Sequence, residues 1–186
     1  MEPIGPLMHE HRLIERMVDL LQAEKDLIEL GQGPDLDVAY KAVDFFRTYA
    51  DRCHHGKEED ILFKRLKSKD LPPDLRARMD ELIEDHKYGR KLVGSLEDAA
   101  RRYEQGEPGA TKDMGRLISE LVRFYPDHIE KEDKHFFFPV LDFFSREERD
   151  AMLDEYWKFD RQLIHEKYAK DVDGLQERKK AVEQEA

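Results

Sequence analysis

Two of the eight histidines open the same short pattern: His54 with Glu58 in RCHHGKEEDILF, and His128 with Glu132 in PDHIEKEDKHFFF. On a helix a spacing of four stacks two side chains on one face, so each pair offers an imidazole and a carboxylate to the same neighbour. Two further histidines, His11 and His86, stand on apolar stripes of their own. Imidazole and carboxylate donors without thiolate suit iron, manganese or zinc. Each residue alone reads as a hydrogen-bonded core histidine or a solvated pair. The chemistry depends on whether they meet.

Gly and Pro are grouped at Gly31 to Pro34, Asp70 to Pro73 and Gly106 to Gly109, which predicts loops there. Between the loops, apolar residues recur every three or four positions: Leu7, His11, Ile14, Val18, Leu21; Val43, Phe46, Ala50, His54, Glu58, Ile61; Leu82, His86, Gly89, Val93, Leu96; Leu117, Leu121, Phe124, His128, Glu132. This is the pattern of four long helices, and no strand-like alternation competes with it. His11 and His54 are equally far along the chain from a turn centred between Gln32 and Gly33. His86 and His128 stand in the same relation, to within a single position, to a turn centred between Glu107 and Pro108. The middle turn, at Asp70, is equidistant from His54 and His86. Antiparallel helices therefore bring all four histidines to one level, with an internal pseudo-twofold. The expected fold is all-α, an up-and-down antiparallel four-helix bundle over residues 1–143, with a C-terminal helical extension over 144–186.

Two carboxylates among apolar side chains cost several kcal/mol each unless their charge is compensated. No Lys or Arg lies on these stripes near that height. A cation is thus expected, and two facing carboxylates can bridge two ions, so a dinuclear site fits best. Two six-coordinate ions offer about twelve positions, of which four imidazoles and two bridging carboxylates fill about eight. The rest can take water, oxide or a small exogenous ligand.

One His on the first and third helices and His-x-x-x-Glu on the second and fourth resembles the hemerythrin-like HHE cation-binding family, over about residues 5 to 143. The resemblance implies a non-haem di-iron centre with an oxo or hydroxo bridge, iron ranking ahead of manganese and zinc. His11, His54, His86 and His128 would be the nitrogen ligands, and Glu58 and Glu132 the bridging carboxylates. The oxygen-carrying hemerythrins have a second histidine four residues after the third-helix one, where this chain has Arg90. They also use an Asp five residues after the last His, here Asp133, which rotates off the stripe of His128 and Glu132. With a fifth histidine missing, the implied chemistry moves from reversible oxygen carriage toward sensing, scavenging or redox protection with dioxygen, peroxide or nitric oxide. The alternative is a regulatory or interaction module that responds to iron or oxygen status.

The neighbours receive plainer expectations. His9 is about 200° from His11 on an α-helix and points elsewhere. His55 directly follows His54 and should turn away from the site, exposed. His135 can at most support the ligands, and His165 should cap or be solvated. Tyr49 and Tyr125 could reach the site, although core packing explains both. Cys53 fits a small buried residue beside the metals. Pro126 should disturb the fourth helix ahead of His128, and the Phe136, Phe137, Phe138, Phe143, Phe144 cluster should anchor the extension. That extension opens with Ser145 and Glu148, the pair of a capping box, and continues through Met152, Trp157, Leu163, Ile164 and Tyr168 as a fifth helix, packed on the bundle or on a second copy as a homodimer. Beyond Gly174 the charged tail should fray.

At 186 residues the chain suits one domain with an appendage. It is 39% hydrophobic, which supplies a core and excludes global disorder. A net charge of −11 disfavours nucleic acid and anionic membrane partners. The single cysteine and the absence of a signal-like start point to the cytoplasm. No apolar run comes close to the roughly 20 residues that a bilayer crossing needs. A ferritin-like oxidase would need two Glu-x-x-His motifs, and only Glu132 to His135 fits. There is no phosphate-binding glycine loop and no nucleophile elbow.

Overall fold

The computed structural model describes residues 1–161 and 164–185. Among these there is no strand. The helices are α1 (Ile4–Glu29), α2 (36–66), α3 (Pro73–Glu104), α4 (Ala110–His135), the short α5 (Phe137–Leu141), α6 (Arg146–Phe159) and α7 (Ile164–Glu185). No helix among the described residues is long and apolar enough to cross a membrane.

Local chemistry sets the boundaries. Gly31 takes up a φ of 86° just past α1, a left-handed turn that glycine adopts without a side-chain penalty. Asp35 then caps α2 by accepting from the backbone N–H of Asp37 and Val38. Pro73 occupies the first position of α3, where a missing amide hydrogen costs nothing. Ser145 and Glu148 form the expected capping box at the start of α6. The fourth helix runs unbroken through Pro126.

The second helix is not a plain α-helix. It is α-helical over Leu36–Phe45, π-helical over Phe46–His55 and again over Glu58–Phe63, and closes with an α-turn at Lys64–Leu66. A π-turn holds more residues than the α-turn's 3.6, so consecutive side chains rotate by less than the usual 100°.

The core comes in two blocks. One contains Leu13 to Leu21, Ala39 to Ala50, Leu92 to Ala100 and Met114 to Ile129. The other contains Ile4, Leu7, Ile61 to Leu66, Met79, Leu82 and the aromatic residues Phe136, Phe137 and Phe144. His11, His54, Glu58, His86 and Glu132 fall between the two blocks along the chain, and His128 sits at the edge of the first, beside Ile129, so a polar layer lies between two apolar ones.

The C-terminal extension departs from the expected fifth helix. It is two helices, α6 and α7, separated by a turn that includes Asp160 and Arg161. Met152 and Tyr156 of α6 join the second core block, and Tyr168, Val172 and Leu175 of α7 join the first. Trp157, expected on the apolar face, is 65% exposed, and Phe138 is exposed as well. Leu163 lies outside the described residues. The tail beyond Gly174 is helical to Glu185 instead of frayed: Leu175 is buried, and Arg178 pairs with Asp37 and Asp35 at the start of α2.

Candidate metal centre

The six residues predicted as ligands converge, and all are buried. His11 comes from α1, His54 and Glu58 from the π-helical part of α2, His86 from α3, and His128 and Glu132 from α4. The Nε2 atoms of His11 and His54 face each other at 2.9 Å. Glu58 has one oxygen 3.5 Å from His54 Nε2 and the other 3.3 Å from His86 Nε2. Glu132 has one oxygen 3.1 Å from His11 Nε2; the other is 3.6 Å from His86 Nε2 and 3.4 Å from His128 Nε2. Each carboxylate therefore presents one oxygen to the His11/His54 side and one to the His86/His128 side.

Among the described residues, none of these four carboxylate oxygens has a hydrogen-bond partner, and neither do the Nε2 atoms of His86 and His128. Orphaned buried polar atoms on this scale are costly in an interior. Metal bonds of about 2.1 Å at right angles place neighbouring donors about 3.0 Å apart. The donor set and its spacing thus fit a pair of hard or borderline ions, with Glu58 and Glu132 between them.

Outside this inner layer, every one of the four histidines is held at Nδ1 by a carboxylate. His11 Nδ1 donates to Asp133 (2.7 Å), His54 to Glu10 (2.8 Å), His86 to Glu59 (2.7 Å) and His128 to Asp85 (3.3 Å). The arrangement runs around the bundle: α1 supplies the acid for α2, α2 for α3, α3 for α4, and α4 for α1. Each acid in turn carries a cation: Arg12 on Asp133, Lys57 on Glu10, Arg90 on Glu59 and Lys131 on Asp85. Such outer partners fix the tautomer and aim Nε2 at a metal. Asp133 is therefore one layer out from the position it would hold in an oxygen carrier, while Glu132 lies in the inner layer. Aromatic rings line the outside of the cluster, with Phe137 stacked on His11, Phe63 on His86 and Phe124 on His128.

His55 corrects the sequence expectation. It is 2% exposed, not solvent-facing, with its ring stacked on His86 at 3.9 Å and edge-on to His128 at 5.6 Å. The expectation assumed α-helical rotation between His54 and His55; the π-helical turn reduces that rotation and lets both rings enter the interior. Donor atoms of His55, His86 and His128 lie within 4.8 Å of one another, as do those of His11, His54, Glu58 and Glu132.

Lys57, which is off the apolar stripes, is also buried at this height. Its ammonium bonds Glu10 and Asp160 (2.7 and 2.9 Å to the two Asp160 oxygens). Asp160 also accepts from the Cys53 thiol at 3.0 Å and lies 3.1 Å from His165 Nε2. His165, expected to be solvated, bridges Asp160 and the hydroxyl of Tyr49 (3.0 Å). Tyr49 thus serves the extension, and Tyr125 stacks on Phe46. His9 and His135 are exposed. A cavity of about 250 Å³, lined in part by Phe46, Gly89, Val93 and Tyr125, reaches His55 between α2 and α3.

The protonation states follow from this packing. Burial pulls the imidazole of His11 down, but the Asp133 and Glu132 carboxylates outweigh it and lift the pKa to about 10. His86 is likewise raised well above its ordinary value, burial being overcome by Glu132, Glu58 and Glu59. Burial pushes Glu132 up, yet His128, His11 and His86 hold it well below the usual carboxylate range. His55 is pushed well down by burial and by His86 and His128, so its ring is neutral. Without metal, His11 and His86 hold protons beside Glu132. Asp160 is held at about 2 because His165, Lys57 and Cys53 together outweigh its burial.

The Hemerythrin HHE cation binding domain family matches residues 2–137, and again 80–186. The chain belongs to this family. A comparison with curated proteins and one with solved structures each give no match.

Proposed function

We propose that this protein is a non-haem di-iron protein that binds or reacts with dioxygen, peroxide or nitric oxide, in sensing, scavenging or redox protection. The observation that carries the proposal is the pair Glu58 and Glu132, fully buried between opposed imidazole nitrogens, with none of their four oxygens hydrogen-bonded among the described residues. Two iron ions there would supply redox chemistry and positions for a small ligand. The chain's own part is to hold neutral imidazoles by their Nδ1 atoms, to exclude water with Phe63, Phe124 and Phe137, and to admit small molecules beside His55. A diatomic or peroxide suits a cavity of about 250 Å³; a net charge of −11 argues against nucleic acid as a partner.

Iron reconstitution without oxygen, followed by air, should give two irons per chain and oxo-bridge charge-transfer bands in the near ultraviolet. A colourless protein with one tightly held zinc would overturn the proposal. One observation favours the regulatory reading as a second choice: Asp160, in the turn between α6 and α7, reaches the site through Lys57, Glu10 and His54. Metal loading would then be felt by the extension, and a homodimer or partner docked there would gain or lose affinity with metal. Removing α7 with no change in oligomeric state or metal response would count against it.

A further inference from the structure

The two halves of the bundle match residue for residue around the site. His11 corresponds to His86, His54 to His128, Glu58 to Glu132, and Lys57 to Lys131, with the outer acids following the same rotation. The correspondence breaks at the buried position that follows the second histidine of each half. The residue after His54 is His55, on a π-helical turn, whereas the residue after His128 is Ile129, on a regular α-helix and packed in the first core block.

Nothing among the described residues hydrogen-bonds His55. Both of its ring nitrogens are buried without a hydrogen-bond partner. A purely packing role would be met at lower cost by an apolar side chain, because a buried polar atom left without a partner forfeits its hydration for nothing. Its surroundings also repeat the pattern of the other four histidines. Nδ1 lies 3.4 Å from Asp51 Oδ1, close but not aligned for a hydrogen bond, and Asp51 is held by Arg90 at 2.7 Å. An imidazole backed by a carboxylate that is backed by a cation is the arrangement of His11, His54, His86 and His128. It leaves Nε2 as the donor in His55 too.

We infer that His55 is a fifth imidazole ligand, completing with His86 and His128 the three-nitrogen side of the dinuclear site. The π-helical turn of α2 thereby supplies the nitrogen that Arg90 of α3 cannot, while Arg90 anchors the carboxylates behind His55 and His86. The two ions become unequal. One has His11 and His54, the other His55, His86 and His128, and both share Glu58 and Glu132. The His11/His54 ion has one imidazole fewer. This inference rests on the two-metal reading above.

The test loads the full chain with cobalt(II) alone, in the wild type and in His55→Gln. Imidazoles bound to a paramagnetic ion give exchangeable ring N–H resonances far outside the normal proton range, which vanish in deuterium oxide. Five such resonances are expected in the wild type and four in the variant, with one of two cobalt ions held at least about tenfold more weakly. Four resonances in a wild-type protein that holds two cobalt ions would overturn the assignment of His55 and leave the two-metal reading standing. Equal spectra and affinities in the two proteins would do the same. Fewer than two cobalt ions in the wild type would overturn both. The wild-type count does not depend on how the variant folds.

Discussion

The carboxylate of Glu10 accepts a hydrogen bond from Nδ1 of His54 at 2.8 Å, across the α1–α2 interface and from the residue immediately before His11. One side chain thus aims the imidazole of the neighbouring helix while the next residue of its own helix, His11, carries the opposing imidazole. Replacing Glu10 with Leu removes the acceptor, frees the His54 tautomer and leaves Lys57 with Asp160 alone. Losses of such outer partners cost about 10–100-fold in metal affinity. Chelator competition should show that loss for Glu10→Leu and a smaller one for Glu10→Gln, whose amide oxygen can still accept. Equal affinity for all three proteins would mean that Glu10 does not position His54.

The inner carboxylates should be indispensable to stoichiometry. Each offers one oxygen to each side of the site, so on the proposed two-metal reading Glu132→Gln would remove a bridge and half of the charge that holds the pair. Metal content should fall from two ions per chain to at most one, with helical circular dichroism retained because the two apolar blocks are untouched. A Glu132→Gln protein that still binds two ions would show that the carboxylate does not bridge.

Much of this was legible in the sequence, for physical reasons that differ by residue. The loops were visible because Gly31, Pro34, Pro73 and Gly109 have few other places to go, and the equal spacing of His11, His54, His86 and His128 from those loops fixed their common level. His55 was not legible, because spacing arguments assume about 100° per residue and nothing local announces a π-turn. The outer acids Glu10, Glu59, Asp85 and Asp133 each adjoin an inner ligand, a signal that was present but buried in a chain that is 40% charged. The break between α6 and α7 has neither Gly nor Pro to mark it. There, Asp160 leaves the helical run to meet Lys57, Cys53 and His165, a tertiary pull that no local pattern encodes.

Protons and metal compete for the same nitrogens. The pKa of His11 stands at about 10 in the folded metal-free chain against about 6.5 in the unfolded one. A raised pKa stabilises the fold fully below about 6.5 and progressively less as pH climbs through about 10. Metal-free protein should therefore lose this stability between those values, while metal loading at pH 8 should release at least one proton. Titration calorimetry in two buffers of different ionisation enthalpy would measure that release. Loading that releases none would contradict a protonated His11. In the other direction, the ions should leave as the imidazoles charge on acidification.

Cys53 is the only cysteine, and burial pushes its thiol well up while it donates to Asp160. A raised pKa and a closed environment both suppress the reactive thiolate. Alkylation should be slow in the native chain and rapid in denaturant. Fast native labelling would show that the turn at Asp160 opens readily.

Lys57 and Lys131 occupy equivalent places in the two halves, three residues after His54 and His128, and each bonds the acid behind its own helix's histidine. Their surroundings differ. The Lys57 side chain is fully buried and shares Glu10 and Asp160, whereas that of Lys131 is 28% exposed, with Asp85 and Glu81. Breaking a buried pair strands charge in a poor solvent, at about 3–5 kcal/mol. An exposed pair is worth about 0–1 kcal/mol, because water and salt screen it. Lys57→Met should therefore destabilise the fold several-fold more than Lys131→Met in chemical denaturation, and only Lys57→Met should free Asp160 and loosen the turn between α6 and α7. Equal costs for the two substitutions would mean that the Lys57 cluster is hydrated in solution, and that the extension is not tied to His54 through it.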